Sequence, residues 1–249
     1  MGGSTDAITR RTKIWTAVAL LFAMTFPTLA AWSYFLGLAQ TGGQANVQQQ
    51  AAYVAGKIIQ FSFPLLFLAL IERRRPVLTR PHFDGLIPGL VFALVVAALI
   101  FGIYFGVLRG SSLLAQTPAR IRHKLQEVDM ATPARYVLLA AFLVAAHSLL
   151  EEYYWRWFVF GRLRQLTSRM PAIVLSSLAF MAHHVILLYV FLPDKFLVAA
   201  VPGSLAVAVG GAVWAWLYER SGSLWSPWIS HLLIDAAIFV IGWDLLWPF

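Results

Sequence analysis

The stretch "HSLLEEYYWRWFVFG", residues 147–161, lies in an apolar run, yet it holds two adjacent glutamates, an arginine one turn later and a histidine one turn earlier. What kind of helix can carry such a pattern is answered by its surroundings. The 249-residue chain is 60% hydrophobic and 12% charged, with no cysteine and a mean hydropathy of +0.73. A soluble domain carries roughly a quarter charged residues, so this composition is that of an integral membrane protein. Several apolar runs reach the ~20 residues that carry a helix across a hydrocarbon core of about 30 Å. The runs are continuous and do not alternate as barrel strands do, which leaves helices as the spanning structure.

The expected fold is therefore all-α: a polytopic transmembrane bundle of about seven spans, plus a short interfacial amphipathic helix. The spans are placed at roughly 14–38, 53–71, 85–108, 136–160, 171–192, 196–218 and 226–247. Residues 1–249 read as one membrane domain, with no internal repeat, low-complexity tract or second domain. The first apolar run, from Ile14 to about Leu38, exceeds the 7 to 15 residues of a signal-peptide core and reads as a retained span.

Net charge is +8, from fifteen Arg and four Lys against eleven acids. The basic residues sit mostly between apolar runs, where they set topology and touch anionic lipid, so nucleic acid is excluded as a partner. With the N-terminus inside, the inner segments hold Arg10, Arg11, Lys13, Arg73, Arg74, Arg75, Arg80, Arg162, Arg164, Arg169 and Arg220. The outer segments hold only Arg109, Arg120, Arg122, Lys124, Arg135 and Lys195. The bias predicts a cytoplasmic N-terminus, and the arginine-rich, cysteine-free composition points to a bacterial inner membrane.

Most of the outer charge lies in one connection, residues 110–135, where Ile121, Leu125 and Val128 recur at helical spacing beside Arg120, Arg122 and Lys124. That is an interfacial amphipathic helix, expected to rest on headgroups rather than to cap a cavity. Gly85 and Gly89, then Gly102 and Gly106, have the small-xxx-small spacing that lets helix backbones approach closely. Trp225 and Trp228 open the last span and Trp243 and Trp247 close it, about 33 Å apart, as two interfacial belts require.

Of the eleven acids only Glu151, Glu152 and Asp235 fall well inside the expected spans, and of six histidines four do: His147, His183, His184 and His231. A charge at mid-bilayer costs about 2.5 to 3.5 kcal/mol on insertion scales, so each of these residues suggests function. Counted from the cytoplasmic ends, Glu151, His184, His231 and Asp235 lie roughly 15, 20, 8 and 14 Å deep, and can meet in one layer. Successive helical residues point about 100° apart, so Glu151 shares a face with His147 while Glu152 shares one with Arg156. Arg156 is thus expected to neutralise Glu152 and leave Glu151 free for chemistry. His231 and Asp235, also at i and i+4, pair so that the carboxylate orients the imidazole. Buried ion pairs that merely hold helices together are the non-functional alternative.

At these residues the sequence resembles the CAAX-protease and bacteriocin-processing family, also called the Abi family, of intramembrane glutamate-type endopeptidases. The family's motifs EExxxR, FxxxH and HxxxN correspond to "EEYYWR" at 151–156, "FMAHH" at 180–184 and "HLLID" at 231–235. The resemblance covers roughly residues 136–240, the expected catalytic core. It implies that Glu151 activates water with help from His184, which the spacing from Phe180 selects over His183. It also implies that His231 and the residue four positions on stabilise the oxyanion; Glu152, Arg156, His147 and His183 are read from their positions as supporting residues. Trp157 stands where a glycine often follows the arginine, and Asp235 where the family has asparagine. An ionised aspartate would repel an oxyanion, so Asp235 is expected to act indirectly, by orienting His231.

The expected function is an intramembrane endopeptidase, cofactor-free, acting on a protein or peptide substrate at the lipid bilayer. One alternative keeps the reaction and adds zinc on Glu151, His184 and His231, although no HExxH is present. The others are a proton-coupled transporter and a non-catalytic scaffold. Substrate and oligomeric state are left open.

Overall fold

Long apolar runs in lipid must satisfy every backbone group internally, and the computed structural model does so with helices. It describes residues 10–37, 44–74 and 83–248. Arg75, Arg80 and the expected end of the first span at Leu38 lie outside them. Among the described residues there is no strand, and seven helices are long and apolar enough to cross a membrane. They are α1 (Thr12–Gly37), α2 (Val47–Glu72), α3 (Leu86–Leu108), α5 (Pro133–Leu166), α6 (Arg169–Phe191), α7 (Pro193–Ser221) and α8 (Trp225–Leu246). The short helix α4 (Thr117–Glu127) lies between α3 and α5. The spans alternate in direction between two faces, here called near (the side of Thr12) and far.

The chain is inside-out relative to a soluble protein. Ile87 and Leu197 are 76% and 77% exposed, whereas Glu152 and Arg156 are fully buried. Aliphatic side chains on the outside and charge within are the arrangement lipid selects, and they make this an integral membrane protein. α5 runs through the middle and touches α1, α2, α6, α7 and α8. Its Tyr154, Trp155, Phe158, Val159 and Phe160 form the core with Phe180, Trp214 and Leu217.

α5 is longer than the expected 136–160. Pro133 starts it at the first helical turn, where a missing N–H costs nothing. At the other end, Gly161–Leu166 adds more than a turn that is too polar to read as a span. There Arg162 pairs with Glu72 at 2.8 Å and Arg164 with Glu219 at 2.9 Å, fastening α5 to α2 and α7 at the near face. Within α5, the α-helical turn Ser148–Glu152 is flanked by wider π-helical stretches, Phe142–His147 and Tyr153–Phe160. Such widening often marks functional sites. Trp228 of α8 donates its indole N–H to the Ala145 carbonyl in the first of them at 3.0 Å.

The two glycine pairs at and within α3 behave differently. A Cβ on Gly89 would lie 2.8 Å from Ser226 Oγ and 3.0 Å from the Ser226 carbonyl oxygen, so α3 and α8 meet backbone to backbone there. Gly102 and Gly106 have nothing within 4 Å and make no such approach, contrary to the expectation from spacing. Spacing identifies a smooth stripe, but only a partner that lies along it turns it into an interface.

α4 does not merely rest on headgroups. Leu125 is buried against Tyr136 and Leu246, Arg122 donates to the Leu246 carbonyl at 2.9 Å, and Gln50 donates to the Glu127 carbonyl at 2.6 Å. The Lys124 ammonium lies 5.8 Å from the ring centroids of both Tyr34 and Phe35. The helix is thereby docked on the far ends of α1, α2, α5 and α8. Trp243 and Trp247 join this cluster through Tyr136, while Trp225 and Trp228 pack together at the near end.

Candidate active site

The site starts from the ~100° between successive helical residues, which sends Glu151 and Glu152 to different neighbours. Arg156, one turn on, places Nε 3.0 Å from Glu152 Oε2 and a second guanidinium nitrogen 3.4 Å from Oε1. The guanidinium also sits 5.0 Å from the Phe180 ring centroid and 5.6 Å from that of Trp214. Glu152 takes a third donor: His231 Nδ1 lies 2.9 Å from Oε1. The carboxylate expected only to neutralise Arg156 therefore also anchors the imidazole of α8.

With Nδ1 committed to Glu152, His231 turns Nε2 toward two further carboxylates, Asp235 Oδ2 at 3.5 Å and Glu151 Oε2 at 3.8 Å. Both ring nitrogens then face anions, and the ring has a donor for each side only as imidazolium. Trp214 stacks on it at 4.0 Å between centroids and 18° between planes, and donates its own N–H to Ser230 Oγ at 3.1 Å. The expected His231–Asp235 neighbourhood is present, while the shorter contact that orients the ring comes from Glu152.

Glu151 is 4% exposed and is surrounded by imidazole nitrogens. His183 Nε2 is 3.7 Å from Oε1, and His147 Nδ1 is 3.9 Å from Oε2. These distances are longer than direct hydrogen bonds. His184 directs Nδ1 to the Phe180 carbonyl at 2.9 Å. One ligand atom each from Glu151, His183 and His184 falls within 4.8 Å of the others. Sequence spacing selected His184 alone as the helper of Glu151, and the structure brings both histidines of the pair to it. His183 is held by Trp155, parallel to it at 5.8 Å and 7°.

All eight residues singled out by sequence come together: Glu151, Glu152, Arg156 and His147 from α5, His183 and His184 from α6, and His231 and Asp235 from α8. The neighbouring serines are not nucleophiles in waiting. Ser148, Ser176 and Ser177 each bond back to a carbonyl of their own helix, at 2.5, 3.1 and 2.7 Å. Two charged residues of the spans escaped the sequence reading. Asp244, near the far end of α8, accepts from the Tyr104 hydroxyl at 2.7 Å and Arg109 at 2.8 Å. Lys57 lies in the middle of α2, and only its being a lone charge in an apolar run marked it.

Fold and site define a helical membrane protein with a carboxylate–histidine cluster buried among its spans. Residues 133–237, less than half of the chain, match the family model described as "Type II CAAX prenyl endopeptidase Rce1-like". The matched stretch runs from the first turn of α5 into α8 and contains all eight residues, in agreement with the resemblance drawn from the three motifs. No curated protein and no solved structure matches the chain.

Proposed function

We propose that the protein is an intramembrane endopeptidase in which Glu151 activates water. The observation that carries this is one buried carboxylate with imidazole nitrogens from three separate helical positions, His147, His183 and His231, 3.7 to 3.9 Å away. The match of residues 133–237 to a family of prenyl endopeptidases supports the reaction class. The substrate is a membrane-associated or membrane-proximal peptide, and the protein sits in a bacterial inner membrane with its N-terminus in the cytoplasm.

Glu151 takes a proton from water held beside His183 and His184, and the hydroxide adds to the scissile carbonyl carbon. The Nε2–H of His231 stabilises the oxyanion, with Glu152 fixing the ring from its other side and Asp235 supporting its charge. Glu151 then passes the proton to the amide nitrogen, the C–N bond breaks, and carboxylic acid and amine leave. The test compares the membrane proteome of cells carrying wild-type protein with that of cells carrying Glu151→Gln. A precursor uncleaved only in the variant is expected, and identical protein termini in both would refute proteolysis.

A second reading has zinc on Glu151, His183 and His184, whose donor atoms are close enough together. Zinc would act as Lewis acid and lower the pKa of bound water. A ligating histidine ordinarily donates its other N–H, and His184 does so to Phe180.

A further inference from the structure

Lys57 is a cation in the middle of a membrane span. It lies fifteen residues from the near end of α2 at Glu72, and Glu151 lies fifteen from the near end of α5 at Leu166. Glu72 is level with Arg162, eleven residues from Glu151, so Lys57 and Glu151 lie about 22 and 16 Å from that pair. A chain of contacts joins them: the Lys57 ammonium is 5.5 Å from the Phe61 ring centroid, and Phe61 stands edge-on to His147 at 5.8 Å. His147 Nδ1 is in turn 3.9 Å from Glu151. Lys57, Tyr53, Phe61 and His147 are all half-buried.

The basic residue of the glutamate turn, Arg156, has its carboxylate in Glu152. Among the described residues Lys57 has none within ion-pair distance and makes no hydrogen bond. It has only the faces of Phe61 and Tyr53, the latter at 5.6 Å. Ring faces offset part of a desolvated ammonium's cost, and an anion offsets far more. A cation kept unpaired beside a reactive centre is complementary to an anion that arrives with the ligand. Headgroup phosphates lie at the two faces, whereas a carboxylate can be carried inward on an apolar peptide.

We propose that Lys57 is an anion-binding subsite of the Glu151 centre and holds a carboxylate of the bound peptide substrate. The inference rests on the proteolytic reading. It adds a consequence for where the chain is cut: along the contact chain, the carboxylate and the scissile bond are separated by at most about five extended residues. Cleavage should therefore fall within that distance of the carboxylate, whether this is the chain terminus or an acidic side chain.

The experiment uses the full-length protein in lipid nanodiscs and a pool of proteome-derived peptides, with carboxyl groups either free or amidated, read by mass spectrometry. Wild type is expected to cut the free pool about thirtyfold or more faster than the amidated one. Lys57→Met should lower cleavage of the free pool until that ratio approaches one, and Lys57→Arg should restore much of it. The thermal unfolding midpoint of Lys57→Met shows that it is folded. If Lys57→Met keeps the wild-type ratio while cleavage still depends on Glu151, the subsite is wrong and proteolysis stands. If neither pool is cut in a Glu151-dependent way, the proteolytic reading fails and takes this inference with it. Synthetic copies of the best-cleaved peptide, amidated at the terminus alone or with Gln for the acidic residue, assign the source. Loss with neither copy overturns the proposal.

Discussion

His231 Nδ1 lies 2.9 Å from the Glu152 oxygen that also faces the Arg156 guanidinium, so one carboxylate holds a cation of its own helix and the imidazole of α8. Removing that carboxylate leaves Arg156 buried without a counter-charge. Glu152→Ala is expected to destabilise the protein by about 3–5 kcal/mol, measured by chemical or thermal unfolding in detergent. The double variant Glu152→Leu/Arg156→Met removes both charges and should regain much of that loss. It should stay inactive, because His231 has lost its anchor. Recovered activity in the double variant would reduce Glu152 to a structural ion pair.

Glu151 touches no cation of its own helix at hydrogen-bond distance, and its replacement by the isosteric amide leaves no buried charge unpaired. Glu151→Gln should lower substrate cleavage by about 10²–10⁴-fold. Its unfolding midpoint should stay close to that of wild type, in contrast with Glu152→Ala. Equal loss of stability in the two variants would contradict the division of labour between the adjacent glutamates.

Asp235 Oδ2 sits 3.5 Å from His231 Nε2, on the side of the ring that faces Glu151. Asparagine fills the same space and keeps an oxygen for the ring, whereas alanine keeps neither. Asp235→Asn is expected to retain substantial activity and Asp235→Ala to lose it, in a cleavage assay on purified protein. Equal inactivity of both would show that the charge of Asp235, and not its placement of His231, is what the site needs.

Exhaustive chelation should leave cleavage unchanged, and elemental analysis of the purified protein should find less than one zinc per chain. Activity lost to a chelator and restored by zinc would favour Glu151, His183 and His184 as ligands instead.

Gly89→Ala should destabilise the protein by about 1–3 kcal/mol, because the added methyl lies 2.8 Å from Ser226 Oγ. Gly102→Ala, with nothing within 4 Å, serves as the control and should have no such effect. Unfolding measurements on the pair separate true helix contacts from spacing alone.

Span number and the residues that cluster inside the bundle were legible because burial of charge in lipid is costly enough to make every such residue informative. Glu151, Glu152, His184, His231 and Asp235 stand out by type alone, and helical phase assigned Glu152 to Arg156 correctly. Phase along one helix says nothing about neighbours on another, so the Glu152–His231 contact was out of reach, as was the approach of His183 to Glu151. The near end of α5 was missed because Arg162 and Arg164 read as loop until Glu72 and Glu219 are seen beside them. Lys57 was legible and overlooked, since attention to loops treats basic residues as topology.

The 3.8 Å between His231 Nε2 and Glu151 Oε2 bears on how hydrolysis can run in a medium that tolerates little new charge. In the proposed reaction Glu151 takes a proton from water and no charge is created: a negative unit passes from carboxylate to hydroxide. Its next resting place, the oxyanion, lies beside the imidazole already facing that carboxylate. The whole reaction then amounts to moving one electronic charge across the width of a side chain and back, over ground whose polarisation is set before the substrate arrives. Turnover on this reading needs no reorganisation of the surrounding helices.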